Sequence, residues 1–130
     1  MTTAQKTALI VEDEYLVRMV IEETLIGLDF VVLAFKRADQ ALSYLGEHKG
    51  LELDLILTDI RMPGNIDGLT FAACARKQFH TTPIIIASAN QVQFDRLPSF
   101  CRFLQKPWVE QDLVAALASL ESASKADPAA

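Results

Sequence analysis

The sequence predicts an α/β protein with one parallel β-sheet, because short apolar runs alternate along the chain with helical patterns. Five runs are short enough for strands, at 7–11, 30–35, 53–59, 83–87 and 103–104. The stretches between and after them carry apolar residues at the spacing of amphipathic helices. Right-handed crossovers leave few topologies for five such units. We therefore expect a doubly wound, flavodoxin-like sheet with strand order 2-1-3-4-5 and helices on both faces.

The helices follow from apolar residues spaced three or four positions apart. Gly27 is expected to end the first helix, and the third is expected over 69–79. The segment after Ser88 is poorly patterned, so the helix between strands four and five should be short or irregular, near 91–97. The stripes that define the other helices are Val17, Val20, Ile21, Thr24, Leu25 and Leu28 for the first, Ala38, Ala41, Leu42 and Leu45 for the second, and Leu113, Ala116, Leu117 and Leu120 for the last.

Length and composition indicate one ordinary globular domain. The 130 residues are 51% apolar and 22% charged, which suffices for one sizeable core. We expect a tail over 1–6, one domain over 7–121 and a second tail over 122–130. With no leader or long apolar span evident, a cytoplasmic location is expected.

The charge balance and the cysteines bear on partners and redox state. The net charge is −5, and the basic residues are scattered, so neither nucleic acid nor a membrane is expected as a partner. Cys74 and Cys101 have no metal-binding spacing. They are predicted to be reduced and packed.

Reactive side chains follow four of the five predicted strands. The central apolar run ends on Asp59, the first strand ends on Glu12 and Asp13, the fourth on Ser88, and Lys106 follows the fifth. Because the carboxyl ends of parallel strands meet at one sheet edge, these groups should converge in the crevice where doubly wound sheets bind ligands. Taken singly, each residue could have a purely structural role, such as helix capping by Glu12 and Asp13. Their coincidence at one edge favours a functional site.

The predicted cluster has the chemistry of a phosphoryl-transfer site. Three carboxylates at close range repel one another unless a cation intervenes, and oxygen ligands suit Mg²⁺. Lys106 offers a positive charge and Ser88 a hydroxyl to a phosphoryl group. Asp59 is then a plausible nucleophile toward phosphorus, giving an aspartyl phosphate.

Over roughly 7–120 the chain resembles the receiver domains of two-component response regulators. The matching motifs are Leu9-Ile10-Val11-Glu12-Asp13-Glu14, Asp59-Ile60-Arg61-Met62-Pro63, Ile66-Asp67-Gly68, Ala87-Ser88-Ala89 and Lys106-Pro107. The resemblance implies that 7–121 is a receiver domain and that Asp59 is its phosphoacceptor. It further implies that Mg²⁺ is the cofactor and that the protein is a signalling domain, not a conventional enzyme.

The resemblance also assigns roles residue by residue. Asp13 and Asp59 would be direct Mg²⁺ ligands together with the Arg61 carbonyl, and Glu12 would act through a metal-bound water. Lys106 would pair with the phosphoryl group, whereas Ser88 and Phe103 would form the switch pair. The family pattern makes Lys106-Pro107 a candidate cis peptide.

Three features depart from the family pattern. The loop over 63–68 is one residue longer than usual, and the acidic pair is Glu-Asp in place of Asp-Asp. Ser88 and Lys106 lie only 18 positions apart, fewer than in typical receivers, and the usual Gly-Ala pair before strand five is absent. From these last departures we expect no output through a standard surface on the helix between strands four and five.

The implied partners are a histidine kinase or a histidine phosphotransfer protein, with a further protein target as a second route. Tyr15, Met19 and Trp108 are candidate docking residues, since an apolar rim beside the site would suit a histidine-bearing helix; Trp108 packing against its own helix is the alternative. The few residues after 120 suggest a stand-alone regulator.

Two other functions compete with a phosphorylated receiver. A degenerate receiver would serve only as a protein-interaction module, but the intact set Asp13, Asp59, Ser88 and Lys106 counts against it. A hydrolase of the haloacid dehalogenase type would need a second Asp two residues after the nucleophile. Arg61 occupies that position.

Overall fold

Five strands and four helices form the part of the chain that the computed structural model describes, which is residues 5–60, 66–88, 100–106 and 110–126, with side chains as far as residue 119. The predicted helix near 91–97 lies outside these ranges. The elements in chain order are β1 (Lys6–Val11), α1 (Tyr15–Gly27), β2 (Phe30–Phe35), α2 (Ala38–Glu47), β3 (Leu55–Asp59), α3 (Gly68–Gln78), β4 (Ile84–Ser88), β5 (Cys101–Gln105) and α4 (Glu110–Ala126).

The sheet has the predicted topology. The strands lie in the order β2-β1-β3-β4-β5, and every neighbouring pair is parallel. Asp59, at the end of β3, stands opposite Ala87 of β4, and Ser88 stands opposite Gln105 of β5. The carboxyl ends of all five strands therefore meet at one edge of the sheet, which confirms the predicted fold class.

Alternate residues of the strands point to two separate apolar layers, as expected for a sheet covered on both faces. One layer packs against α2 and α3, and the other packs against α1 and α4. The first contains Leu9, Ile56, Ile84, Ala41, Leu45, Phe71 and Ala75, and the second contains Ile10, Leu57, Ile85, Ile21, Leu25 and Leu113. All residues of β3 and β4 are buried, so the strand that carries Asp59 is held on both faces.

The buried face of α1 is narrower than the apolar stripe that the sequence predicted. Ile21, Thr24 and Leu25 are buried, but Val20 is 50% exposed and Leu28 is 39% exposed. The sheet covers a narrower arc of the helix than the apolar residues occupy. Gly27 is the last helical residue, as predicted, yet the left-handed residue that turns the chain toward β2 is Asp29, at φ 70°. Aspartate is one of the few residues that tolerate this conformation.

The cysteine prediction is half right. Both thiols are free, and Cys101 is partly buried at the start of β5. Cys74 is exposed. The face of α3 that packs on the core carries Phe71, Ala72 and Ala75, and Cys74 lies to the side of that face. Among the described helices, none combines the length and hydropathy that a membrane span requires.

Candidate functional site

Asp59 occupies the carboxyl end of the most deeply buried strand pair. Its side chain keeps 12% of its accessible surface, so the carboxylate sits in a crevice and not on open surface. The main chain just after it is held on two sides, because the Ile60 amide donates to the Ala87 carbonyl at 3.3 Å and the Ile60 carbonyl accepts from the Gly68 amide at 2.8 Å. The position of Asp59 is thus fixed by both β4 and the start of α3.

Gly68 lets α3 approach the back of Asp59. A Cβ atom built at this position would lie 1.8 Å from the Asp59 carbonyl oxygen, which no side chain can accept without movement of the main chain. The preceding residue, Asp67, caps α3 by accepting a hydrogen bond from the Thr70 amide at 2.8 Å. The pair Asp67-Gly68 therefore starts the helix and brings it against the site.

The turn between β1 and α1 presents the two other acids differently. The Glu12 side chain is fully buried, its amide donates to the Phe35 carbonyl at 3.0 Å, and its carboxylate accepts from the Glu14 amide at 3.1 Å. Asp13 is exposed. Glu14, the residue at the N-cap, makes no side-chain capping bond. Of the acids considered as helix caps, Glu12 alone has a described bond of this kind, to the amide of Glu14 at the N-cap.

Lys106 connects the acids across the sheet. Its Nζ donates to Glu12 Oε1 at 2.7 Å and to Asp59 Oδ2 at 3.0 Å, while its amide donates to the Ser88 carbonyl at 2.8 Å. The Lys106 side chain is 14% exposed. Charge-assisted hydrogen bonds of this length hold the ammonium in the crevice, facing Asp59.

Burial and charge shift the pKa values of this ion pair. Burial raises the pKa of Glu12, and the hydrogen bonds from Lys106 and the Glu14 amide offset only part of that effect. For Lys106, burial acts to lower the pKa, but the hydrogen bonds to Glu12 and Asp59 prevail, so its pKa is raised. Lys106 therefore stays protonated throughout the neutral range.

The three acids form a set of oxygen ligands. One carboxylate oxygen from each of Glu12, Asp13 and Asp59 can be chosen so that all three lie within 4.8 Å of one another. Two or three carboxylates with room for water is the kind of site that suits Mg²⁺, which keeps several waters and takes few protein ligands. The residues present therefore fit a magnesium ion at this edge of the sheet.

The predicted switch residues lie on β4 and β5, the two strands that follow the Asp59 strand in the sheet. Ser88 is buried at the end of β4, one residue beyond Ala87, which stands opposite Asp59. Phe103 is partly buried in the middle of β5, opposite Ile86. The structure therefore places Ser88 at the site edge, and Phe103 one strand further out.

Of the other predicted site residues, the structure describes only some. Tyr15 is 65% exposed at the start of α1, and Met19 is partly buried one turn later. Arg61, Pro107 and Trp108 lie outside the described residues, so the carbonyl ligand, the cis peptide and one docking residue stay predictions from the sequence.

Sequence reasoning gave no role to Arg18 and treated Gly68 only as part of a motif. Arg18 donates from Nη1 to the Glu12 carbonyl at 2.8 Å and to the Asp13 carbonyl at 3.5 Å. The sequence could have indicated this contact, because Arg18 is a single cation one helical turn after three consecutive acids. The role of Gly68 could have been inferred from its position directly after an aspartate that caps a helix.

A carboxylate cluster and a lysine at the carboxyl edge of a doubly wound sheet define a site for a cation and an anionic ligand. Comparison with known proteins shows which family has this fold and this site. The family of the response regulator receiver domain matches residues 8–118. The transcriptional regulatory protein CpxR of Escherichia coli strain K12 is 30% identical over 118 residues, which cover 86% of this chain and 47% of CpxR.

Solved structures agree with the sequence match. A response regulator receiver protein from Sinorhizobium medicae WSM419 superposes with a TM-score of 0.79 and 28% identity, covering 89% of this chain and 94% of that one. The receiver domain of the hybrid histidine kinase CckA gives a TM-score of 0.74 and 31% identity, covering 88% and 97%.

The chain belongs to the response regulator receiver domain family of two-component systems. Members of this family are signalling domains that accept a phosphoryl group, bind Mg²⁺ at an acidic pocket, and interact with histidine kinases or phosphotransfer proteins. The chain spans between 16% and 51% of the lengths of the curated relatives that it matches.

Proposed function

We propose that this chain accepts a phosphoryl group on the carboxylate of Asp59 in a Mg²⁺-dependent reaction. The observation that carries the proposal is the pair of bonds from Lys106 Nζ, which reaches Asp59 Oδ2 at 3.0 Å and Glu12 Oε1 at 2.7 Å. A carboxylate held in a crevice beside a fixed cation is suited to attack an anionic phosphorus centre, since the cation attracts the donor and stabilises the charge that develops.

The transfer forms one bond and breaks one. A carboxylate oxygen of Asp59 attacks phosphorus, and the bond from phosphorus to the donor breaks, with its electron pair leaving on the histidine nitrogen of a partner or on the oxygen of a small phosphodonor. Lys106 moves its hydrogen bond from the carboxylate to a phosphoryl oxygen. The Ser88 hydroxyl, buried at the end of the neighbouring strand, would donate to another phosphoryl oxygen.

Asp13 and Asp59 would hold the Mg²⁺ ion with the Arg61 carbonyl, and Glu12 would hold a metal-bound water. When bound, the ion neutralises negative charge on the phosphoryl oxygens. The buried Glu12 has a second task, because its bonds to Lys106 and to the Glu14 amide fix the turn that carries Asp13. The acidic pair therefore combines a buried, oriented residue with an exposed ligand.

Phosphorylation by acetyl phosphate, followed by intact-protein mass spectrometry, tests the proposal. The wild type should gain one phosphoryl group in Mg²⁺ and none in EDTA, whereas Asp59→Asn should gain none, because an amide is not a nucleophile. Asp13→Asn should need more Mg²⁺. Asp54→Asn is a matched control just before the same strand, where the carboxylate accepts from the Thr7 amide at 2.8 Å. An adduct that survives Asp59→Asn would contradict the assignment.

We also propose that Ser88 and Phe103 transmit the phosphorylated state. A phosphoryl group gives the Ser88 hydroxyl a strong acceptor, which would draw its loop inward and leave space for Phe103 to turn in. Beryllofluoride with Mg²⁺, standing in for the phosphoryl group, should shift the amide resonances of Ser88 and Phe103. Ser88→Ala should abolish the shift at Phe103. Shifts confined to Asp13 and Asp59 would argue against this coupling.

The proposed donor is a histidine kinase or a histidine phosphotransfer protein that docks on Tyr15, Met19 and Trp108. Support comes from Tyr15, which is 65% exposed within three residues of Glu12. Trp108→Ala should slow transfer from the kinase more than phosphorylation by acetyl phosphate. Val31→Ala, at an exposed apolar position on β2, is the control and should slow neither. Equal slowing with both donors would assign Trp108 to the site itself.

The output of the domain is proposed to pass to another protein in the cytoplasm, by onward phosphotransfer or by phosphorylation-dependent binding. That the chain works as a stand-alone regulator, without contact to nucleic acid or membrane, stays a prediction from the sequence. Immunoblotting the native protein from cells would measure its full size, and a band well above 14.4 kDa would contradict the stand-alone arrangement.

A further inference from the structure

Arg18 holds the main chain on both sides of Asp13. Its Nη1 donates to the Glu12 carbonyl at 2.8 Å and lies 3.5 Å from the Asp13 carbonyl, so the first bond is strong and the second is weak. These two carbonyls belong to the peptide groups that flank the Asp13 Cα atom. Holding both peptide groups from one nitrogen restricts the backbone dihedrals of Asp13, and these determine the direction of its side chain.

Asp13 needs such support, because packing does not supply it. The residue is exposed, and within the described part of the chain its carboxylate has no hydrogen-bond donor. The start of α1 is not fixed in the usual way either, since Glu14 at the N-cap makes no side-chain capping bond. Glu12 differs, because it is buried and bonded to Lys106 and to the Glu14 amide.

The position of Arg18 is itself well determined. Its amide donates to the Glu14 carbonyl at 2.9 Å, which is the first hydrogen bond of α1, and its guanidinium lies 5.6 Å from the centre of the Tyr15 ring. A cation over an aromatic face is favourable, and the planar guanidinium suits such stacking. The side chain is therefore held between the ring and the turn, with its bonds directed to carbonyls and not to carboxylates.

We infer that Arg18 is a positioning residue that sets the direction of the Asp13 carboxylate toward the cation site. The inference rests on the proposed function, in which Asp13 is a Mg²⁺ ligand, and it adds a residue that touches neither the ion nor the phosphoryl group. By binding the carbonyls, Arg18 orients the turn and leaves the three carboxylates available as ligands.

Loss of the Arg18 charge and loss of its orienting bonds should change Mg²⁺ affinity in opposite directions. The guanidinium is a positive charge near the site, so its loss by charge alone would tighten Mg²⁺ binding. Loss of orientation would weaken Mg²⁺ binding, because supporting contacts around metal ligands typically contribute about tenfold or more to affinity. The direction of the change thus separates a positioning role from a general electrostatic one.

The test uses Arg18→Met, which keeps the length of the side chain and removes its donors. Mg²⁺ titration should show binding weakened by about tenfold, the lower end of the effects seen for supporting residues. Arg18→Lys keeps the charge and one donor and should recover part of the affinity. Arg76→Met is a matched control, since Arg76 also donates to main-chain carbonyls, of Phe79 at 2.9 Å and Phe100 at 3.4 Å, and lies 4.9 Å from an aromatic ring.

A second readout needs no metal. The carbonyl carbon resonances of Glu12 and Asp13 should shift in Arg18→Met in EDTA, and those of other turns should not. Unchanged or tighter Mg²⁺ binding in Arg18→Met would overturn the inference if the wild type binds Mg²⁺. If the wild type binds none, the proposed function fails, and the carbonyl resonances then decide alone: unchanged shifts would overturn the positioning role.

Discussion

The ammonium of Lys106 lies 2.7 Å from the Glu12 carboxylate, so one ion pair joins the carboxyl ends of β5 and β1 across the two strands between them. The Glu12 side chain is fully buried and that of Lys106 is 14% exposed, which distinguishes the pair from a solvent-exposed salt bridge. Lys106 provides positive charge that allows the Glu12 and Asp59 carboxylates to lie close together. Removal of this cation should therefore affect stability as well as chemistry.

Lys106→Met should destabilise the metal-free protein by about 1–3 kcal/mol, because it leaves the buried Glu12 carboxylate without its charged partner. Urea unfolding in EDTA measures the free energy of unfolding directly. Lys36→Met is the control, since Lys36 is exposed directly after β2, and a change within about 0.5 kcal/mol is expected there. Equal effects of the two substitutions would show that the ion pair contributes no stability.

Gly68→Ala should destabilise the protein by about 1–3 kcal/mol, as overpacking in a rigid region does. The added Cβ would meet the Asp59 carbonyl oxygen at 1.8 Å, so either α3 or Asp59 must move, and phosphorylation by acetyl phosphate should also slow. Gly46→Ala is the matched control within α2, where nothing lies within 4 Å of the added Cβ. It should leave phosphorylation unchanged and stabilise the helix by about 0.5–1 kcal/mol. A fully active Gly68→Ala protein would contradict the close approach.

Most of the fold could be predicted from local patterns. β2 was predicted with its bounds, and β3 with its final residue, because both are continuous apolar runs with clear ends. β5 is longer than predicted, since Arg102 and Gln105 are exposed at the edge of the sheet and interrupt its apolar pattern. Val20 and Leu28 were misassigned because periodicity shows which face of a helix is apolar, and not how much of that face the sheet covers.

The site was predictable where a strand end determines it. Asp59, Ser88 and Lys106 follow from the rule that parallel strands end at one edge, and the structure brings all three there. The roles of Arg18 and Gly68 depend on distances between elements, which no periodicity contains. The exposure of Cys74 depends on the core face that Phe71, Ala72 and Ala75 define together, and the sequence alone does not mark that face.

The two thiols should react at very different rates. Burial raises the pKa of Cys101 from 9.0 to about 11, and the nearby Arg76 offsets only part of this shift. At pH 8, iodoacetamide should modify the exposed Cys74 first, and modification of Cys101 should accelerate only as the pH approaches about 11. Mass spectrometry of Cys74→Ser and Cys101→Ser separates the two rates. Similar rates at pH 8 would show that Cys101 is not shielded in solution.

The same shift gives a dependence of stability on pH with a defined sign. The folded state favours the neutral thiol of Cys101, so this contribution to stability is fully present below pH 9.0 and is lost as the pH rises through about 11. The difference between wild type and Cys101→Ser isolates it from other titrations. In unfolding experiments that difference should stay constant up to pH 9.0 and change above it; a constant difference across the whole range would contradict the burial effect.

Chemical trapping of the phosphorylated residue tests the central proposal most directly. After reaction with acetyl phosphate in Mg²⁺, borohydride reduces an aspartyl phosphate to homoserine, which peptide mass spectrometry can locate. The residue expected at position 59 is homoserine, with Asp13 and Asp54 unchanged, because Asp59 is the one of these three aspartates that accepts a hydrogen bond from Lys106 within the described part of the chain. Homoserine at position 13 or 54, or a phosphoryl group that borohydride does not convert, would contradict the assignment of Asp59 as the phosphoacceptor.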